Sequence, residues 1–178
     1  MYRLFVAIDL PENVKKELSG ISYGMPGARW VPEEQLHLTL RFIGEVDGGV
    51  FRDIQEALGD IKSESFEIRI KGVGFFPPRK TPRVLWVGVE PHDKVSLLRK
   101  RVEGTLVRLG IEPEHRKFSP HITLARLQDT SLSKVTRFLA GHNLFASELF
   151  PVNEFILYSS TLTPKGAIHR QEAVYPLS

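Results

Sequence analysis

The chain has 178 residues, 42% hydrophobic and 25% charged, which suits one packed domain or two small lobes sharing a cleft. It contains no cysteine, which excludes disulfides, thiol nucleophiles and thiolate metal sites. Its net charge of +3 is unevenly spread: residues 1–70 hold 8 basic and 12 acidic side chains, residues 71–126 hold 12 and 5, and a polyanionic partner fits that basic middle.

Arg3–Leu10 reads as a buried strand. Asp9 and Pro11 end its apolar run before a secretory segment forms, and no later run approaches the roughly 18 residues of a membrane span, so a cytoplasmic location without membrane contact is expected. Pro11 opens an amphipathic helix with Val14, Leu18 and Ile21 on one side. A short extended piece, Arg29–Val31, precedes Leu36–Gly44, where His37, Thr39 and Arg41 alternate with Leu38, Leu40 and Phe42. Strict alternation places the first three on one face and gives Arg41 as a phosphate ligand beside His37, with Phe42 in the core. Val50–Ile61 is a second helix and Phe66–Gly72 a half-exposed strand. Gly and Pro make Val73–Pro82 loop-like, with Phe76 exposed for stacking on a base. Arg83–Glu90 is another apolar strand, and Lys94–Leu109 is the longest helix. Ile111–Ser119 is polar and basic. Of the basic side chains, Arg79, Lys80, Arg83, Arg116 and Lys117 lie in loops suited to RNA, whereas Arg99–Arg101 reads as a solvated helix face.

Pro120–Leu127 then repeats the pattern of the first histidine strand as His121-Ile122-Thr123-Leu124. A short helix, Ser131–Leu139, follows, and strands Glu154–Thr161 and Ile168–Leu177 close a hairpin. Strand–helix–strand ending in HLTL and strand–helix–strand ending in HITL look like an internal duplication. No flexible linker separates the halves. The expectation is one α+β domain over residues 1–178: a bilobal, pseudo-twofold fold with two antiparallel sheets, outer helices and a central cleft.

Two imidazoles facing one cleft suit general acid–base catalysis, since one can be protonated and its twin neutral near pH 6.5. Thr39 and Thr123 share their faces and can donate to an oxyanion. Together they fit in-line attack on a phosphodiester. A zinc site is the rival, but neither motif contains a carboxylate and no other His has ligand spacing, so no metal or cofactor is expected. A nucleotide- or RNA-binding module without turnover is the alternative from another class. An RNA ligase running the chemistry in reverse is a third.

At HLTLRFIGEV and SPHITLAR the sequence resembles the two-histidine phosphoesterase superfamily, and within it the RNA 2′,3′-cyclic phosphodiesterase branch, also called 2′-5′ RNA ligase-like proteins. The resemblance extends from RLFVAIDLP to LYSSTLTPKG. It implies metal-independent opening of RNA 2′,3′-cyclic phosphate ends to 2′-phosphates, and it leaves open whether the RNA is a tRNA-derived fragment or a small oligonucleotide. It makes His37 the proton donor and His121 the proton acceptor, with Thr39 and Thr123 as their motif partners, and it nominates Arg126 for substrate. Trp30 joins Phe76 as a candidate base contact. His169 stands where an aromatic Tyr is expected in such proteins.

Overall fold

The apolar run near the N-terminus forms β1 (Tyr2–Asp9) in a computed structural model that describes the whole chain, Met1–Ser178. Leu4, Val6 and Ile8 enter the main core, whereas Phe5 and Ala7 point the other way and meet Ile156 and Tyr158. β1 is therefore apolar on both faces because both are covered. The chain continues through α1 (Glu12–Gly20), β2 (Ala28–Trp30), a 3₁₀ turn (Glu33–Gln35), β3 (His37–Val46) and α2 (Gly48–Leu58). Next come β4 (Phe66–Phe76), β5 (Val84–Glu90), α3 (Asp93–Arg108), β6 (His121–Leu127) and α4 (Leu132–His142), then β7 (Phe150–Val152), β8 (Glu154–Thr163) and β9 (Gly166–Pro176). Asp47 and Ser131 cap α2 and α4 by accepting from Val50 N and Lys134 N. Such caps satisfy amides that the first helical turn leaves open.

The strands make two antiparallel sheets, of order β3-β1-β8-β9 and β2-β6-β5-β4-β7. Sheet membership does not follow the order of the chain. β2 comes early but forms an edge of the second sheet, and β8 and β9 return from the C-terminal end to complete the first. One core of 34 buried residues unites both sheets with the inner sides of the helices, including Val14 and Leu18, Ile54 and Leu58, Leu98 and Val102, and Val135 and Phe138. Each sheet thus lays one face on helices and presents the other to the cleft. No helix is long and apolar enough to cross a membrane.

Two stretches differ from the sequence reading. Val73–Phe76, expected as loop, continues β4 past a register irregularity between Ile70 and Val73. Gly74 is there because the Trp86 ring lies against it: an added Cβ would fall 2.3 Å from Trp86 Cζ2. What reads as a turn signal is a site of close approach. β7 has no counterpart among the expected elements; it is a three-residue edge strand, the position in a sheet that tolerates its Pro151.

Candidate active site

The two histidine strands carry the same burial pattern. From His37 to Phe42 and from His121 to Arg126, the order is half-buried, buried, half-buried, buried, buried, exposed. Strict alternation does not give two buried residues in succession. The cause is a β-bulge in each strand. Val6 pairs with Arg41 and Ala7 with Thr39, so Leu40 is the extra residue in β3. Leu85 pairs with Ala125 and Trp86 with Thr123, so Leu124 is the extra residue in β6. A bulge turns every later side chain to the opposite face.

This reverses the expectation for Arg41. It lies on the core side at 6% exposure, with Nε 3.0 Å from Glu103 Oε1 and further hydrogen bonds to the Phe42 and Glu112 carbonyls. It is a buried structural cation, each of its three nitrogens donating to a protein acceptor, and it does not face the His37 side as a phosphate ligand would. The same geometry moves Phe42 out of the core onto the His37 face, 42% exposed, with the Arg3 guanidinium 5.0 Å from its ring centroid. In β6 the bulge brings Arg126 onto the face of His121 and Thr123, exposed. Trp30 is also corrected. It pairs with Ala125 on the core side and packs against Phe138, ring centroids 5.8 Å apart, so it does not face the cleft. Phe76 does: its ring meets the His121 ring edge-on at 5.0 Å. Arg116, expected free for RNA, forks onto Glu114 at 3.1 and 3.2 Å. Arg99 is not solvated either; it pairs with Glu103 at 3.2 Å and lies over Phe118.

Each imidazole is oriented from behind by a backbone carbonyl two residues upstream. His37 Nδ1 lies 2.6 Å from Gln35 O, and His121 Nδ1 lies 2.7 Å from Ser119 O. A carbonyl only accepts, so each Nδ1 carries a proton and each Nε2 is left to react. His37 Nε2 lies 2.9 Å from Thr39 Oγ1. Burial pushes the His37 imidazole down to about 4; the Gln35 hydrogen bond and Asp9 oppose this, while His169 and Lys15 reinforce it. Free His37 is therefore neutral near pH 7, with Nε2 accepting from the Thr39 hydroxyl.

The surroundings of His37 contain Phe5 and Tyr158, which the sequence reading does not single out, and His169, to which it gives no role. Phe5, Tyr158 and His169 form an aromatic wall: Phe5 stacks on Tyr158 at 5.0 Å, and its ring lies 5.1 Å from His37 and 5.0 Å from His169. His169 also meets His37 edge-on at 5.5 Å, and burial lowers its own imidazole below the usual range. Asp9, the cross-strand partner of His37, is held by the buried ammonium of Lys15 at 2.9 Å. On the other sheet, Trp86 lies beside Phe76 and His121. Once paired strands are known, register assigns all of these. The signal within the sequence is the aromatic content of β8 and the unused His169. No group of three or more His, Asp or Glu side chains converges as a metal site.

The LigT-like phosphoesterase family model matches the chain twice, over residues 8–86 and 87–169. A Thermotoga maritima protein named RNA 2′,3′-cyclic phosphodiesterase is 38% identical over 94% of this chain and 91% of its own length. Among solved structures, a Thermus thermophilus protein superposes with a TM-score of 0.82 at 30% identity, covering 98% of this chain and 97% of that one. Escherichia coli LigT in complex with 3′-AMP gives 0.81 at 26% identity, covering 99% and 98%.

Proposed function

The chain belongs to the LigT-like phosphoesterase family, and from that membership we propose that it hydrolyses RNA 2′,3′-cyclic phosphodiester ends, tRNA-derived fragments among them, to 2′-phosphates. The observation that carries the mechanism is the matched pair of imidazoles, each with Nδ1 tied to a carbonyl and Nε2 left to react. His121 takes a proton from water, which attacks phosphorus opposite O3′. The P–O3′ bond breaks as the P–O bond to water forms, and His37 gives O3′ its proton. The hydroxyls of Thr39 and Thr123 donate to the non-bridging oxygens as charge develops. Arg126 and Phe76, on the same face as His121, hold the RNA. The repeat of the bulged strand in both halves supports an internal duplication within one bilobal domain.

The test is incubation with an oligonucleotide ending in a 2′,3′-cyclic phosphate, with EDTA present, followed by end-group analysis. We expect a 2′-phosphate, with His37→Ala and His121→Ala each slowing the chemical step about 10²–10⁴-fold in folded protein. Loss of activity in EDTA with recovery on adding zinc or manganese overturns the metal-free mechanism. Near-normal turnover by either variant overturns the paired-histidine step. Tight binding of the RNA end without turnover establishes the binding-module alternative.

A further inference from the structure

The face that carries His121 and Thr123 also carries two arginines placed directly opposite one another. Arg29 of β2 and Arg126 of β6 are register partners, and both are exposed. Opposed residues of an antiparallel pair point to the same side, so Arg29 shares the cleft face with Arg126. The next pair, Trp30 and Ala125, points to the core. Two guanidiniums so placed repel each other, and neither takes part in any ion pair of the protein. The arrangement is also held firmly. Gly27, at φ +84°, lets the chain pass so close to β6 that a Cβ there would lie 2.9 Å from the Gln128 carbonyl oxygen. Beyond the pair, Val31 N donates to Leu124 O at 2.8 Å. A backbone clamped on both sides keeps the like charges together.

We propose that Arg29, with Arg126, forms a binding site for the internucleotide phosphate on the 5′ side of the cyclic end, so that the substrate is an RNA strand rather than a cyclic mononucleotide. This rests on the phosphodiesterase reading. Arg126 lies four register steps from His121 along β5, about 13 Å. That is the spacing of the two backbone positions, wide enough for the guanidinium to meet a second group of the same strand, and the nearest other negative charge on a bound RNA end is the adjoining phosphodiester. Paired guanidiniums match the geometry of phosphate oxygens, and an anion between them converts their repulsion into attraction. Arg79 and Lys80, in the β4–β5 turn at the same end of the sheet, are also outside every ion pair and continue the basic rim.

The test compares a cyclic mononucleotide with a dinucleotide bearing the same cyclic end, using wild type, Arg29→Ala and Arg29→Lys. Wild type should favour the dinucleotide. Arg29→Ala should raise the dinucleotide KM about tenfold or more, affect the mononucleotide several-fold less, and flatten the salt dependence of dinucleotide binding by about one ion. Arg29→Lys, which keeps the charge without the fork, should recover part of the preference. Arg29→Ala should melt no lower than wild type, because it removes a repulsion. Equal losses on both substrates, no loss on either, or a lowered melting temperature that accounts for the loss overturns the site. Failure of wild type to hydrolyse either substrate overturns the phosphodiesterase reading instead, and this inference with it.

Discussion

His37 carries the sharpest residue-scale consequences. In the free protein its only proton sits on Nδ1, committed to Gln35 O. To donate to O3′ it must gain a second proton at Nε2, and the negative charge of a bound phosphate supplies the attraction that favours it. Binding of a 2′-phosphate product near pH 7 should therefore take up about one proton, read by calorimetry in buffers of different ionisation enthalpy, and His37→Ala should abolish that uptake. Absence of uptake in wild type would transfer the donor role to His121. Stability follows the same linkage. The His37 imidazole falls from 6.5 to about 4 on folding, so the unfolded chain binds the proton first as pH drops. Stability from this group is unaffected above about 6.5 and falls between there and about 4, by up to ~3 kcal/mol. Denaturant midpoints of wild type against His37→Asn across that window measure it. His169→Phe removes the imidazole that reinforces the depression. The His37 titration followed by NMR should then move up, whereas an unchanged midpoint would show His169 to be electrostatically silent.

At the scale of elements, the bulges decide which arginine does what. Both histidine strands obey alternation through Thr39 and Thr123, then break it. In β3 the turned-in Arg41 joins Glu103 and Arg99 and reaches the Glu112 carbonyl, tying the strand to α3 and to the loop before β6. In β6 the equivalent position is Ala125, which is fully buried and needs no partner. Removing Arg41 leaves Glu103 to Arg99 alone and strands the Phe42 and Glu112 carbonyls. Arg41→Ala should thus cost about 2 kcal/mol, seen as a lowered urea midpoint. Arg126→Ala should instead raise KM at unchanged stability. The opposite outcome for the two variants would return the phosphate role to Arg41. The existence of nearly every element was legible because hydrophobic periodicity is local. The extension of β4 past Gly72, through Gly74 to Phe76, was not, because the reason for Gly74 is a tryptophan on the next strand.

At the scale of the whole molecule, the two sheets are interlocked by exchange of strands. Without β8 and β9, β1 keeps β3 but loses its other neighbour, and the wall of Phe5 and Ala7 loses Ile156 and Tyr158. Without β2, β6 becomes an exposed edge carrying His121. Neither 1–86 nor 87–178 contains a complete sheet, so each expressed alone should lack a cooperative thermal transition by circular dichroism. A cooperative melt in either half would show that the exchange is dispensable and that the lobes are independent folding units.

The sequence by itself determined the helices and all but the shortest edge strand and the end of β4, together with the two histidine motifs, their threonines and the basic middle of the chain. Each of these is written in spacing along a single segment: period two for a strand, 3.6 for a helix, and a repeated four-residue pattern for the reacting groups. Tertiary structure alone decided that Arg41 is buried and Arg126 exposed, that Phe42 leaves the core while Trp30 joins it, that His169 stands beside His37, and that Arg29 faces Arg126. A bulge is an extra residue measured against a partner strand, and a face shared across strands depends on register. Both are relations between segments distant in the chain, set by which strands pair, and no local periodicity records them.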